Sequence, residues 1–196
     1  MPKQDLSEII VVLDKSGSME AIKTDAIGGF NSFLDAQKQL PGEAKFTLVL
    51  FSNEYDVKIS GKNLKKIAKL TKQTYIPNGQ TALLDALGKT IDNVGVRLHS
   101  IPEEERPEKV IFAILTDGEE NASKEYTLEK INEMIKHQTE VYSWEFVFLA
   151  ANQDAMQAGA SLGIQSHNTF SFIATPKGIQ DAYRGLNDTV SSYRHH

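Results

Sequence analysis

Two uninterrupted apolar runs, Ile9-Ile10-Val11-Val12-Leu13 and Val110-Ile111-Phe112-Ala113-Ile114-Leu115, each lead directly into a short polar segment bearing an aspartate. Runs of this length read as strands covered on both faces, as in a parallel sheet. Lys45 to Phe51 reads the same way, with Phe46, Leu48 and Leu50 toward one face and Val49 and Phe51 toward the other. Tyr55 to Ser60 instead alternates Tyr55, Val57 and Ile59 with Asp56, Lys58 and Ser60. That alternation predicts a half-exposed strand, paired antiparallel with its predecessor at a sheet edge. Two more strands are predicted, within Val141 to Ala150 and at about Thr169 to Ile173.

Between these strands the apolar period becomes helical. A first helix is predicted from about Ser18 to Leu40, carrying Ile22, Ala26, Phe30, Phe33 and Leu34 and stopped by Pro41-Gly42. Gly28-Gly29 inside it costs roughly 1 kcal/mol per glycine against alanine, which a close helix-to-sheet contact would explain. A short helix is predicted on Leu64, Ile67 and Leu70, and a longer one on Leu83, Leu84, Leu87, Ile91 and Val94. Ser100 to Lys109 is acidic, holds two prolines and reads as surface loop. Thr127 to Lys136 presents Leu128, Ile131 and Ile135, and Asp154 caps a helix ending near Gly163. Thr175-Pro176 supplies a capping hydroxyl and a first-turn proline for the last helix, whose stripe is Ile179, Ala182, Tyr183, Leu186 and Val190. Six strands alternating with helices, without linker or internal repeat, predict one doubly wound α/β domain over 1–194. His195-His196 are set aside as the start of an affinity tag.

Composition narrows the partners. The net charge of −5 argues against sequence-independent nucleic-acid binding, which needs a basic surface. The absence of cysteine excludes disulfides and thiolate metal sites. No apolar run approaches the roughly 20 residues that span a bilayer. The amino terminus also lacks the apolar core of a secretion signal, so the expectation is a cytoplasmic protein.

The candidate chemistry follows the two apolar runs. Asp14-Lys15-Ser16-Gly17-Ser18 comes directly after the first and Thr116-Asp117-Gly118 directly after the second; Gly79-Gln80-Thr81 lies between them. Two carboxylates thus sit at the carboxyl ends of strands, where open α/β sheets bind ligands. With the hydroxyls of Ser16, Ser18 and Thr81 they make an incomplete oxygen shell for a hard cation such as Mg²⁺.

These three motifs, in this order and these strand-end contexts, resemble the von Willebrand factor type A (VWA) domain from about Leu6 to Val190. The resemblance implies a Rossmann-like sheet, mostly parallel, with one antiparallel edge strand and helices on both faces. It also implies a metal-ion-dependent adhesion site (MIDAS). Ser16 and Ser18 then match direct hydroxyl ligands, Thr81 the hydroxyl that binds in the ligand-occupied state, and Asp14 and Asp117 carboxylates that often act through water. Mg²⁺ is the implied cofactor, with Mn²⁺ or Ca²⁺ as alternatives, and the implied partner is a protein presenting an Asp or Glu carboxylate. The chain is also similar to small stand-alone bacterial members, including those associated with tellurite resistance. The expected function is a non-enzymatic, metal-dependent protein-binding module; the alternative is a metal-dependent hydrolase or phosphoryl-transfer enzyme.

Other features have simpler readings. Asp14 and Ser18 taken alone would be helix caps. Gly88-Lys89-Thr90 imitates the end of a phosphate-binding loop but lies inside a helix and lacks the upstream glycine. Lys62, Lys65, Lys66, Lys69 and Lys72 read as a solvated helix face. His99, His137 and His167 have no metal-ligand spacing, and Trp144, Phe146 and Phe148 read as core. Glu119 and Glu120 read as solvated. Asn152-Gln153-Asp154 reads as a helix cap, and Asn121-Ala122-Ser123 and Asn187-Asp188-Thr189 fit glycosylation acceptors without consequence in the cytoplasm.

Overall fold

The computed structural model describes residues 1–117, 119–151 and 154–195. The strands are β1 (Lys3–Asp14), β2 (Glu43–Phe51), β3 (Tyr55–Asn63), β4 (Pro107–Thr116), β5 (Glu145–Ala151) and β6 (Thr169–Phe172). They form one sheet in the order β3-β2-β1-β4-β5-β6. β1 pairs in parallel with β2 and β4, and β4-β5 and β5-β6 are also parallel. Only β3 runs antiparallel, at the edge beside β2. The α-helices are α1 (Lys23–Gln39), α2 (Leu83–His99), α3 (Leu128–Tyr142), α4 (Ala155–Leu162) and α5 (Pro176–Arg194).

The unbroken runs in β1 and β4 face two cores. Ile9, Val11 and Leu13 of β1, with Ile111, Ala113 and Leu115 of β4, pack toward Phe30, Phe33 and Leu34 of α1 and Ile179, Tyr183 and Leu186 of α5. Ile10 and Val12, with Phe112 and Ile114, pack toward Leu87, Ile91 and Val94 of α2, Ile131 and Ile135 of α3 and Leu162 of α4. Trp144 and Phe146 stack on Phe112 in this second core, at ring-centroid distances of 5.4 and 4.9 Å, so the aromatic cluster is core as expected.

The chain steps outward from β1 to β2 and β3, then returns through α2 to place β4 on the other side of β1. Loops leaving β1 and β4 therefore diverge, and a crevice opens above the carboxyl ends of these two strands.

Several expectations are corrected. The first helix does not begin at Ser18: a 3₁₀ segment, Gly17–Ile22, precedes α1. Leu64, Ile67 and Leu70 do not share a helix; only Leu64–Lys66 form a 3₁₀ turn, followed by coil. That coil is satisfied by α1 side chains. Asn31 donates to the Leu70 carbonyl and accepts from its N–H, and Lys38 Nζ donates to the Ile67 carbonyl. The supposed lysine face dissolves with the helix. The Gly28-Gly29 pair serves helix-to-helix contact instead of a helix-to-sheet one. A Cβ on Gly29 would lie 2.3 Å from the Tyr183 ring of α5, whereas Gly28 faces open space.

Candidate metal centre

The first candidate loop leaves β1 with its carboxylate already engaged. Asp14 Oδ1 accepts the Ser16 N–H at 2.6 Å, and Asp14 Oδ2 accepts the Thr116 hydroxyl at 2.7 Å. Asp14, Ser16 and Thr116 are all buried. Ser16 flanks the 3₁₀ segment, and its side chain makes no cap bond there. Its Oγ lies 3.1 Å from Ser18 Oγ, and Ser18 Oγ donates to Asp117 Oδ1 at 2.8 Å. Asp14, Ser16, Ser18 and Asp117, drawn from two segments about a hundred residues apart, thus form one hydrogen-bonded cluster.

Thr81 follows a loop that is hydrogen-bonded to the first one. Its side chain is buried, and its loop is stitched to both neighbours. The Gly17 N–H donates to the Gly79 carbonyl at 2.9 Å and the Asn78 N–H to the Lys15 carbonyl at 2.8 Å. Gly79 has a positive φ of 79°, and a Cβ there would fall 2.0 Å from Asn53 Oδ1, so only glycine fits this turn. Asn53 Oδ1 in turn accepts the Gln80 N–H. On the far side, Asn121 Oδ1 accepts the Thr81 N–H and the Asn121 N–H donates to the Thr81 carbonyl, both at 3.0 Å.

Electrostatics make the cluster a poor home for two bare carboxylates. Burial raises the Asp117 carboxyl above its ordinary pKa; the Ser18 hydroxyl pulls it down, and the nearby Asp14 pushes it up again. A cation would relieve this repulsion. Lys15 does not supply the charge: its ammonium lies 3.5 Å from Glu54 Oε2.

Some residues that build the site escaped the sequence reading. Tyr75 is fully buried, and its hydroxyl donates to the Asp14 carbonyl at 2.6 Å. Burial, then the neighbouring Tyr183, push its phenol well above the ordinary pKa, so it remains a donor. Its signal was a lone aromatic in the polar stretch from Thr71 to Gln80. Asp85, in the first turn of α2, accepts the N–H groups of Lys124, Glu125 and Tyr126, each at 2.9 Å, and its own N–H donates to Ser123 Oγ. Asn121 and Ser123, which fit a glycosylation acceptor, therefore fasten the loop behind Asp117.

The remaining candidates fall elsewhere. His99 closes α2, His137 lies in α3 and His167 in the 3₁₀ turn before β6. Glu119 is exposed, while Glu120 Oε1 accepts the Ser123 N–H. Asp154 caps α4 through the Gln157 N–H; Asn152, Gln153 and Gly118 lie outside the described residues. Among the described residues no three His, Cys, Asp or Glu side chains group as metal ligands, so any cation here depends on the hydroxyls. No described helix is long and apolar enough to cross a membrane.

A family model described as the von Willebrand factor type A domain matches residues 8–184. Proximal thread matrix protein 1 from the mussel byssus superposes with a TM-score of 0.66 at 15% identity, over 95% of this chain and 46% of that one. A second structure of the same protein, described with a zinc-occupied MIDAS motif, gives a TM-score of 0.62 at 17% identity, over 94% and 46%. The ArnB paralog VWA2 from Sulfolobus acidocaldarius gives 0.56 at 19% identity, over 95% and 44%. This chain thus spans less than half of each of these structures. A comparison with curated protein sequences finds no match.

Proposed function

Because the chain belongs to the von Willebrand factor type A domain family, we propose that it is a Mg²⁺-dependent protein-binding module that recognises an acidic side chain on a partner. The observation that carries this reading is the single cluster made by Asp14, Ser16, Ser18 and Asp117 at the carboxyl edge of the sheet. Two carboxylates, with the Ser16, Ser18 and Thr81 hydroxyls, suit a hard cation that keeps waters in its shell. A cation so held offers a Lewis-acidic point that a partner carboxylate completes.

The chain's own residues supply the rest. Both Asp14 oxygens are already engaged by neutral donors, so Asp14 acts from behind the hydroxyls and leaves positive charge uncompensated toward solvent. Tyr75 fixes the Asp14 backbone, and the Gly17–Gly79 and Thr81–Asn121 bonds hold the two outer loops in register.

Calorimetric titration of Mg²⁺ into wild type and the Ser16→Ala/Ser18→Ala variant tests the site. Binding by wild type is expected, with loss in the variant at a stability cost within about 1–2 kcal/mol, as for a lost cap. A partner captured equally in Mg²⁺ and EDTA would overturn the reading.

A further inference from the structure

Beside the candidate metal centre lies a groove of about 380 Å³ whose walls continue both of its loops. Leu83 and Leu84, two and three residues beyond Thr81, form one wall, and Glu119 and Glu120, two and three residues beyond Asp117, form another. Two to three residues of chain span at most roughly 7–11 Å, so the groove opens within that reach of the site on two sides. Its floor is apolar: Phe148 of β5 and Leu162 of α4 are buried there, Ala158 is half-buried, and Leu128 at the start of α3 is 45% exposed. Among the described residues three carboxylates line it, those of Glu119, Glu120 and Asp154, and no lysine, arginine or histidine does. Asp154 is partly spent on the α4 cap and Glu120 on the Ser123 N–H, but Glu119 has no ion-pair partner among the described residues.

Resting on the metal-dependent reading above, we propose that this groove receives the residues flanking the partner's metal-seeking carboxylate. They are one aliphatic side chain on the Leu84, Leu128 and Ala158 surface and one lysine or arginine against Glu119 and Asp154. An extended peptide rises about 3.3 Å per residue, so these positions fall two to four residues from the acidic one. The acidic rim that repels a purely acidic ligand thus selects a mixed one, which is specificity through unfavourable alternatives.

The test is an amide-resolved NMR titration in Mg²⁺ with a blocked glycine-based peptide carrying one glutamate, a leucine two residues on and a lysine two residues after that. Shifts are expected both around Ser16, Ser18 and Thr81 and at Leu84, Leu128, Ala158 and Leu162. Replacing the peptide's leucine by glycine should weaken binding roughly tenfold, and replacing its lysine by glutamate roughly fivefold. On the protein, Leu128→Asn and Glu119→Gln should weaken the parent peptide while changing Mg²⁺ affinity far less, since neither places a like charge beside the cation. Shifts confined to the metal-site loops, insensitive to these four changes, would overturn the groove and leave the metal reading standing. Binding by wild type that persists in EDTA or in Asp117→Ala would overturn the metal reading and the groove proposal with it.

Discussion

Asp117 is held where its charge is unwelcome without a cation. Burial and the nearby Asp14 raise its pKa, so between the ordinary value of 3.8 and the raised one the folded protein holds more proton than the unfolded chain. In metal-free protein stability therefore falls as pH rises through that window. Asp117→Asn should melt at a higher temperature than wild type at neutral pH without metal, with the gap closing below pH 3.8. Mg²⁺ should raise the wild-type midpoint and leave that of the variant unmoved, which thermal melts in Mg²⁺ and EDTA would check. A wild type more stable than Asp117→Asn in EDTA would contradict this account. At this scale the sequence was legible where residues are local: Asp14, Ser16 and Ser18 within five positions declare a loop with oxygen donors. It marked Thr116 only as the neighbour of Asp117 and was mute on Tyr75, because a hydroxyl or phenol aimed at Asp14 is chosen by chain packing and leaves no spacing.

At the level of elements, the loop from Asp117 to α3 is fastened to α2. Asp85 binds three consecutive backbone N–H groups, and a Cβ on Gly88 would fall 2.2 Å from the Tyr126 ring, so the loop lies flat against the helix. Burial raises the Asp85 carboxyl, but the three N–H donors outweigh it and leave its pKa lowered. Its stabilisation is present above the ordinary 3.8 and lost as pH falls through the lower folded value. Asp85→Asn should cost about 2 kcal/mol at neutral pH, within the range for hydrogen bonds to a charged group. Urea unfolding should show the difference from wild type shrinking below pH 3.8. Hydrogen exchange should show faster exchange at Lys124, Glu125 and Tyr126. Unchanged protection there would remove the latch from the account. Strand and helix periods announced nearly every element, yet the helix expected on Leu64, Ile67 and Leu70 failed. A spacing of three fits a helix, but Asn31 and Lys38 offer those backbone groups better partners from across the core.

Across the whole molecule, β1 and α2 are joined by an ion pair buried at its Glu8 end, and its Arg97 also reaches Thr47 of β2. The Glu8 side chain is fully buried, Arg97 donates to it at 2.6 Å, and the guanidinium passes so close to Gly61 of β3 that a Cβ there would lie 2.7 Å away. Removing one partner strands the other, so Arg97→Met should cost about 3 kcal/mol in urea unfolding, whereas Glu8→Leu combined with Arg97→Met should regain most of it. Equal losses in the single and double variants would show that packing, not charge, dominates there. The sequence by itself determined the class of this protein: continuous apolar runs need cover on both faces, helical stripes supply it, and that alternation admits few architectures. It also determined the ends of the strands that bear Asp14 and Asp117, because strand boundaries are local. Only the tertiary structure decided the strand order that sets β1 beside β4, the helix-to-helix contact at Gly29 and the convergence of Thr81 with Asn121. Those are agreements between residues tens of positions apart, and the free energy that selects them comes from complementary shape and paired polar groups rather than from any period along the chain.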